Sequence, residues 1–378
     1  MATYYNPVKI HFGVGTLQQL TTIVQTSGVQ RLLLLTGARS LKAAGFLDKI
    51  LAQLQGIEVL LQDSVPSNPD VADIYRLHEA TKHFACEAIL AVGGGSVIDT
   101  AKALAAFKEL QLTSVDDVRT AIQQKTYLAA AQANCPVWAV PTTAGTGSEV
   151  TPWATIWDQE AGLKYSIADV TIYPQLALVD PVLTQKLSPA MTASSALDAL
   201  GHALEAYWSK NTNEIVRLYA REAISQIVQH LRPLLHNPTD LHLRSQVAYG
   251  SLYAGLAFSN TKTTACHSIS YPLTLQYGIN HGVAVSLTLG AMLVKNAEAL
   301  VEKEELFTAL HITSPAELNE WIQSIYAQAA IPGRLRDYGI SAEDLPALVE
   351  QSYTPGRMDN NPVDVDKPAL LELLTSIL

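Results

Sequence analysis

A chain of 378 residues, 48% hydrophobic and 16% charged, is long enough for two domains, since single cores seldom grow past about 250–300 residues. That composition excludes a disordered or low-complexity protein. The formal net charge of −10 argues against nucleic acid and anionic membrane as partners, so an anionic substrate needs a local basic pocket working against that field.

The start, Met1-Ala2-Thr3-Tyr4-Tyr5-Asn6-Pro7, lacks a basic segment followed by an apolar stretch, and no run approaches the ~20 apolar residues of a membrane helix. Cys86, Cys135 and Cys266 have no metal-type or redox-type spacing. Three sparse cysteines fit reduced thiols, and the expectation is a cytoplasmic protein. The low charge content suggests that part of the surface is buried against another subunit.

Short apolar runs alternate with helical patterns through the first half. Residues 31–36, 59–62, 88–92 and 137–140 read as strands, and residues 41–54 and 71–84 as helices. Apolar strands alternating with helices predict an α/β domain with a parallel sheet covered on both faces. After the third strand stands Gly93-Gly94-Gly95-Ser96-Val97-Ile98-Asp99-Thr100-Ala101-Lys102. Glycines between strand and helix bring backbone N–H groups and the positive helix end toward a ligand such as a pyrophosphate. A tight turn without ligand is the plainer alternative, and the spacing is not the common GxGxxG fingerprint. Pro141-Thr142-Thr143-Ala144-Gly145-Thr146-Gly147-Ser148-Glu149 follows the next strand. Its small hydroxyl and glycine residues could serve phosphate or ribose oxygens, or simply cap the next element. Residues 153–157 and 164–167 suggest a hairpin, and 176–179 a last strand.

From Ser188 the pattern is helical: residues 214–235, 241–258, 282–300, 315–330 and 368–378 all carry three-to-four-residue apolar spacing. The expected division is an α/β domain with the two phosphate-friendly loops over 1–184 and an all-α domain with the metal candidates over 185–378, with a site in the cleft between them. Ser188-Pro189 marks a helix start. Asp198 and His202, four residues apart, leave one face of that helix. Such a pair alone is more often a solvated helix face. With His267 and His281 it becomes a carboxylate and three imidazoles, a plausible donor set for a divalent transition metal.

Four ordered segments carry a family resemblance: GGGSVIDTAK from Gly93, PTTAGTGSEVT from Pro141, DALGHALEAY from Asp198 and HSISYPLTLQYGINHG from His267. Together they resemble the iron-containing alcohol dehydrogenases, over nearly the whole chain, which implies an α/β dinucleotide-binding domain, a helical metal-binding, catalytic domain and a homodimer or larger homo-oligomer. The resemblance implies metal ligands at Asp198, His202, His267 and His281, binding Fe2+, with Zn2+ equally compatible with the donors. It also implies a nicotinamide cofactor held by Gly94, Gly95, Ser96 and Asp99 at the pyrophosphate, with Asn68, Thr142, Thr143, Thr151 and Lys164 nearby. Members restricted to NADH often carry an aspartate where this chain reads Thr36-Gly37-Ala38-Arg39-Ser40. Gly37 removes a repulsive carboxylate and Arg39 with Ser40 could bind a 2′-phosphate, which favours NADPH and leaves NADH open. Many members have another histidine where this chain has Tyr271, which could relay a proton or line the pocket.

Residues 260–272, with Lys262, Thr263 and Thr264 close to His267, resemble the branch containing phosphonoacetaldehyde and maleylacetate reductases. Lys262 could pair with a phosphonate or carboxylate, and Arg357, Asn360 and Asn361 are further candidates. The expected reaction reduces phosphonoacetaldehyde to 2-hydroxyethylphosphonate. The alternatives are a general primary-alcohol dehydrogenase or a maleylacetate reductase. The Asp/His₃ set does not match the Glu/His/His set of the dehydroquinate-synthase type.

Overall fold

The computed structural model describes residues 2–38, 40–129 and 135–378; Arg39 lies outside them, as do Met1 and residues 130–134. The chain forms two compact units, one of Asn6–Thr143 with Ser148–Lys186, the other of Met1–Tyr5, Ala144–Gly147 and Leu187–Leu378.

The first unit is built on strands β1 (Lys9–Phe12), β2 (Arg31–Gly37), β3 (Glu58–Val65), β4 (Ala88–Gly93) and β5 (Val137–Pro141), with β8 (Leu176–Val179) completing the sheet. Their order is β1-β8-β5-β4-β2-β3, with every neighbouring pair parallel. Alternate side chains along a strand face opposite ways, and both faces are apolar here. Leu32, Leu34, Leu90, Val92, Trp138 and Val140 enter one core. Leu33, Leu35, Ile89, Ala91, Val137 and Ala139 enter the other, with Val97, Ile98, Ala101 and Leu104 packed on them. Continuous apolar runs such as Leu32–Leu35 are the result.

In a sheet of this order the chain turns from one side of β2 to the other between β3 and β4. The switch point therefore falls at β2 and β4, and ligands of open α/β sheets sit outside the carboxyl ends of such strands. Gly37, Gly93 and Pro141 end β2, β4 and β5 on that edge. β6 (Trp153–Asp158) and β7 (Leu163–Ala168) form a separate antiparallel hairpin. Two details differ from the sequence reading. β1, only four residues long and on the edge of the sheet, carried too little pattern to be read as a strand. The helix expected over 41–54 is broken at Gly45, whose φ of 73° is left-handed.

The second unit is helical. The Pro189–Trp208 helix starts where expected, with the Ser188 hydroxyl accepting from the Met191 N–H at 3.2 Å. It is buried nearly all round, from Thr192 to Trp208, and packs against the Glu214–His236, Leu241–Phe258 and His281–Asn296 helices. A helix apolar on every side belongs at the centre of its domain. Among the described residues no helix is long and apolar enough to cross a membrane.

Candidate metal centre and nucleotide loops

Asp198 and His202 project from one face of the central Pro189–Trp208 helix. His267 comes from the first turn of the Ala265–Tyr277 helix and His281 from the first residue of the His281–Asn296 helix. Close backbone approach makes the convergence possible: a Cβ on Gly282 would collide with the Ser194 carbonyl oxygen and stand 3.0 Å from Asp198 Cβ. Glycine after His281 is thus a packing requirement.

One ligand atom from each of Asp198, His267 and His281 lies within 4.8 Å of the others. His267 Nε2 is 3.5 Å and His281 Nε2 3.9 Å from Asp198 Oδ1. His202 stands at the margin, outside that group yet with Nε2 4.0 Å from the same oxygen. Its ring stacks on His267 at 4.6 Å and on Phe258 at 4.0 Å between centroids.

Two atoms test whether these residues suit a metal. Asp198 Oδ1 and His267 Nε2 are both buried and lack hydrogen-bond partners, and an orphaned buried polar atom is costly in a finished fold. A cation among them satisfies both, and a carboxylate with imidazoles is an ordinary donor set for iron or zinc. The residues fit.

The sequence reading assigned no role to Glu205. Its buried carboxylate accepts from His267 Nδ1 at 2.5 Å, which turns His267 Nε2 toward Asp198. It also accepts the Thr264, Cys266 and His267 N–H groups at 2.9, 2.6 and 3.3 Å. Thr264, the N-cap residue, makes no side-chain cap bond, so Glu205 caps this helix from outside and suits its positive end. The Thr264 hydroxyl donates to Glu205 and accepts from Trp208 Nε1, each at 2.9 Å. A carboxylate behind a ligating histidine fixes its tautomer and raises its basicity. Spacing was the available signal: Asp198, His202 and Glu205 fall at i, i+4 and i+7 on one helix face.

Electrostatics follow the same geometry. Burial alone would raise the Asp198 carboxyl, but the three imidazoles hold it well below the usual carboxylate range. Burial lowers His202 to about 4, leaving it neutral. For His267 burial is outweighed by Glu205 and Asp198, which push it up to about 9. His202 Nδ1 lies 3.2 Å from the Gly145 carbonyl. Gly145 belongs to the Ala144–Gly147 segment of the helical unit, so this part of the expected phosphate loop positions a metal-site histidine.

At the carboxyl edge of the sheet, Gly94 is the N-cap of the Gly95–Phe107 helix and offers no side-chain cap. The first N–H groups of that helix, including those of Gly95 and Ser96, are therefore available to an anion. Asn68, in a left-handed turn with φ 52°, donates its N–H to Ser96 Oγ at 3.1 Å. The Thr142 N–H donates to the Gly93 carbonyl at 3.0 Å, and Thr143 Oγ1 lies beside Gly94. Gly37 ends β2, where a Cβ would meet nothing closer than the Val65 carbonyl at 3.8 Å. Lys164 on β7 rests over the Trp157 ring at 5.4 Å.

Asp99 and Thr151 also take part in a hydrogen-bond network beneath the glycine loop. The Asp99 carboxylate accepts from the Ser148 hydroxyl and from the Thr155 N–H. Lys102, fully buried, donates to the Thr151 carbonyl at 2.9 Å, Thr151 Oγ1 at 3.2 Å, Ser148 Oγ at 3.2 Å and the Trp153 carbonyl at 2.8 Å. Asp99 lies 4.0 Å from its ammonium. A buried charge needs such partners. The pair ties the glycine-loop helix to the segment entering β6, and so holds the loops in place.

In the late loop, Asn360 Nδ2 donates to the Thr261 and Thr263 carbonyls at 2.9 and 3.0 Å. Asn361 exchanges amide bonds with Asn296. Both are buried and committed to the fold rather than offered to substrate. Between the pinned carbonyls Lys262 takes a left-handed turn, φ 63°, and its side chain is exposed. The half-buried Tyr271 ring stacks on His281 at 6.3 Å between centroids.

Two family models match in chain order: iron-containing alcohol dehydrogenase over residues 7–181, and its C-terminal domain over 192–378. The chain is 31% identical to the NADPH-dependent butanol dehydrogenase of Clostridium saccharobutylicum, with 100% of this chain and 98% of the relative aligned. It is 32% identical to the 1,3-propanediol dehydrogenase of Klebsiella pneumoniae, over 96% and 95%. The solved sulfoacetaldehyde reductase of Bifidobacterium kashiwanohense, in complex with NAD+, superposes with a TM-score of 0.90 at 29% identity, covering 100% and 98% of the two chains. Sheet, donor cluster and full-length relatives agree, and the chain belongs to the iron-containing alcohol dehydrogenase family, whose members pair NAD(P)H with a divalent metal.

Proposed function

We propose that this NAD(P)H-linked alcohol–aldehyde oxidoreductase reduces a small anionic aldehyde, phosphonoacetaldehyde in the first instance, to its primary alcohol. The carrying observation is the donor cluster of Asp198, His267 and His281, with two buried atoms lacking hydrogen-bond partners and Glu205 behind it. His202 completes the set of four ligands. Gly94, Gly95 and Ser96 bind the pyrophosphate through their N–H groups, with Asn68, Thr142 and Thr143 around them. Gly37 and Arg39 govern the choice between NADPH and NADH. When bound, the cofactor supplies hydride and the divalent cation acts as Lewis acid on the aldehyde oxygen. Tyr271, beside His281, delivers a proton to the product alkoxide from its hydroxyl. Glu205 keeps His267 aimed, and Lys262 meets the anionic group of the substrate from a loop that Asn360 holds rigid.

The sulfoacetaldehyde of the structural relative and phosphonoacetaldehyde share an aldehyde next to a carbon bearing a strong anion, which supports the anionic reading. The butanol and propanediol relatives support the second, a general primary-alcohol dehydrogenase. NADPH and NADH oxidation by iron-loaded enzyme with phosphonoacetaldehyde, sulfoacetaldehyde, maleylacetate and propionaldehyde separates them. The proposal expects preference for phosphonoacetaldehyde, with KM raised at least tenfold in Lys262→Ala, the order expected for losing a charge-assisted contact. Equal rates on propionaldehyde, untouched by that substitution, would leave the general dehydrogenase.

A further inference from the structure

The three cysteines fall into two kinds. Cys266 is fully buried in the helical unit, and burial raises its thiol well above the usual range. Cys86 and Cys135 belong to the α/β unit, where they precede β4 and β5, two neighbouring parallel strands. The Ile89 N–H donates to the Pro136 carbonyl at 2.9 Å, which aligns the two entry segments. That register brings sulfurs 49 residues apart in sequence to 3.7 Å. Both side chains keep a little surface, 7% for Cys86 and 4% for Cys135. They sit at the amino ends of strands whose carboxyl ends carry the glycine loop, so the pair stands apart from that loop.

We propose that Cys86 and Cys135 are a modification site, a dithiol that a peroxide converts reversibly to a disulfide. A disulfide needs about 2.05 Å between sulfurs. The approach from 3.7 Å falls to side chains in segments outside the strands, where χ1 rotation does not break a ladder. The Cys135 thiol donates toward the Cys86 carbonyl at 3.6 Å, and the Lys108 ammonium stands on the Cys86 side of the pair. Cys86 is therefore the first nucleophile, its thiolate being the one with a cation beside it. Lys108 also donates to the Cys86 carbonyl at 3.0 Å, which keeps its ammonium close.

The chemistry balances without further reagents. The Cys86 thiolate attacks one peroxide oxygen, forming S–O and breaking O–O, and the departing hydroxide takes the thiol proton as water. The Cys135 sulfur then attacks the sulfenic sulfur, S–S forms, S–O breaks, and a second water leaves with the Cys135 proton. Two thiols lose two electrons and one hydrogen peroxide becomes two waters.

The test is hydrogen peroxide treatment of the purified protein, digestion without reduction, and mass spectrometry. The expected result is one cross-linked peptide pair joining Cys86 to Cys135, two hydrogens lighter than the reduced pair, reverting with dithiothreitol, while Cys266 stays alkylatable after denaturation. Cys86→Ser and Cys135→Ser should each abolish the cross-link. Unreacted thiols, sulfinic acid on either cysteine without a cross-link, or a cross-link to Cys266 would each overturn the proposal. The wild-type arm decides alone should a variant fold poorly.

Discussion

The metal centre and the nucleotide loops are built from different materials. At the metal centre, side chains do the binding and more side chains stand behind them: Asp198, His267 and His281 converge, with Glu205, Thr264 and Trp208 fixing His267 from the rear. At the sheet edge, a helix start without a side-chain cap offers backbone N–H groups at Gly95 and Ser96, supported by the half-buried Asp99 and the buried Lys102. Chemistry specific to one ion depends on residue identity, whereas an anion site on backbone depends on where the chain turns. Substitutions should therefore disturb the two regions by separate routes.

The largest effect is expected at the shared ligand. Asp198→Asn removes the one anionic donor of the proposed ligand set, and turnover should fall roughly a thousand-fold or more, while NAD(P)H binding by fluorescence stays near wild type. Equal loss of both would mean that the two regions are not separable. Next in size, Lys102→Met strips a buried cation from four acceptors. Stability in urea should drop by about 3 kcal/mol, with metal stoichiometry retained in the folded fraction. Glu205→Gln sharpens the comparison from the other side. Metal affinity should weaken about 10–100-fold with cofactor affinity intact, and unchanged metal affinity would reduce Glu205 to a helix cap.

The smallest effect concerns pH. Burial raises the Glu149 carboxyl to about 7, above its unfolded value near 4.3. The folded state thus binds more protons between those values, and this residue's contribution to stability falls as pH rises from about 4.3 to about 7. Glu149→Gln should flatten that part of a pH–stability profile. An unchanged slope would show that Glu149 does not titrate there.

Residue identity made much of this legible. DALGHALEAY placed two donors on one helix face, and Leu32–Leu35 announced a strand buried on both sides. The glycine run after β4 marked a helix start that a ligand can approach. What escaped depended on contacts distant in sequence. Glu205 acts on residues about sixty positions away, and Gly145 looks like loop glycine until its carbonyl is found against His202. Cys86 and Cys135 show no motif because strand order, not spacing, brings them together. The network that Lys102 makes with Thr151 and Asp99 joins two motifs some fifty positions apart, so neither motif alone announced it.

The most direct test of the account is anomalous diffraction from crystals of the iron-loaded protein. It predicts a single strong peak about 2.0–2.2 Å from an Asp198 oxygen and from His267 and His281 nitrogens, with His202 drawn in as the fourth ligand. A peak elsewhere, or none at this cluster with iron bound in solution, would contradict it.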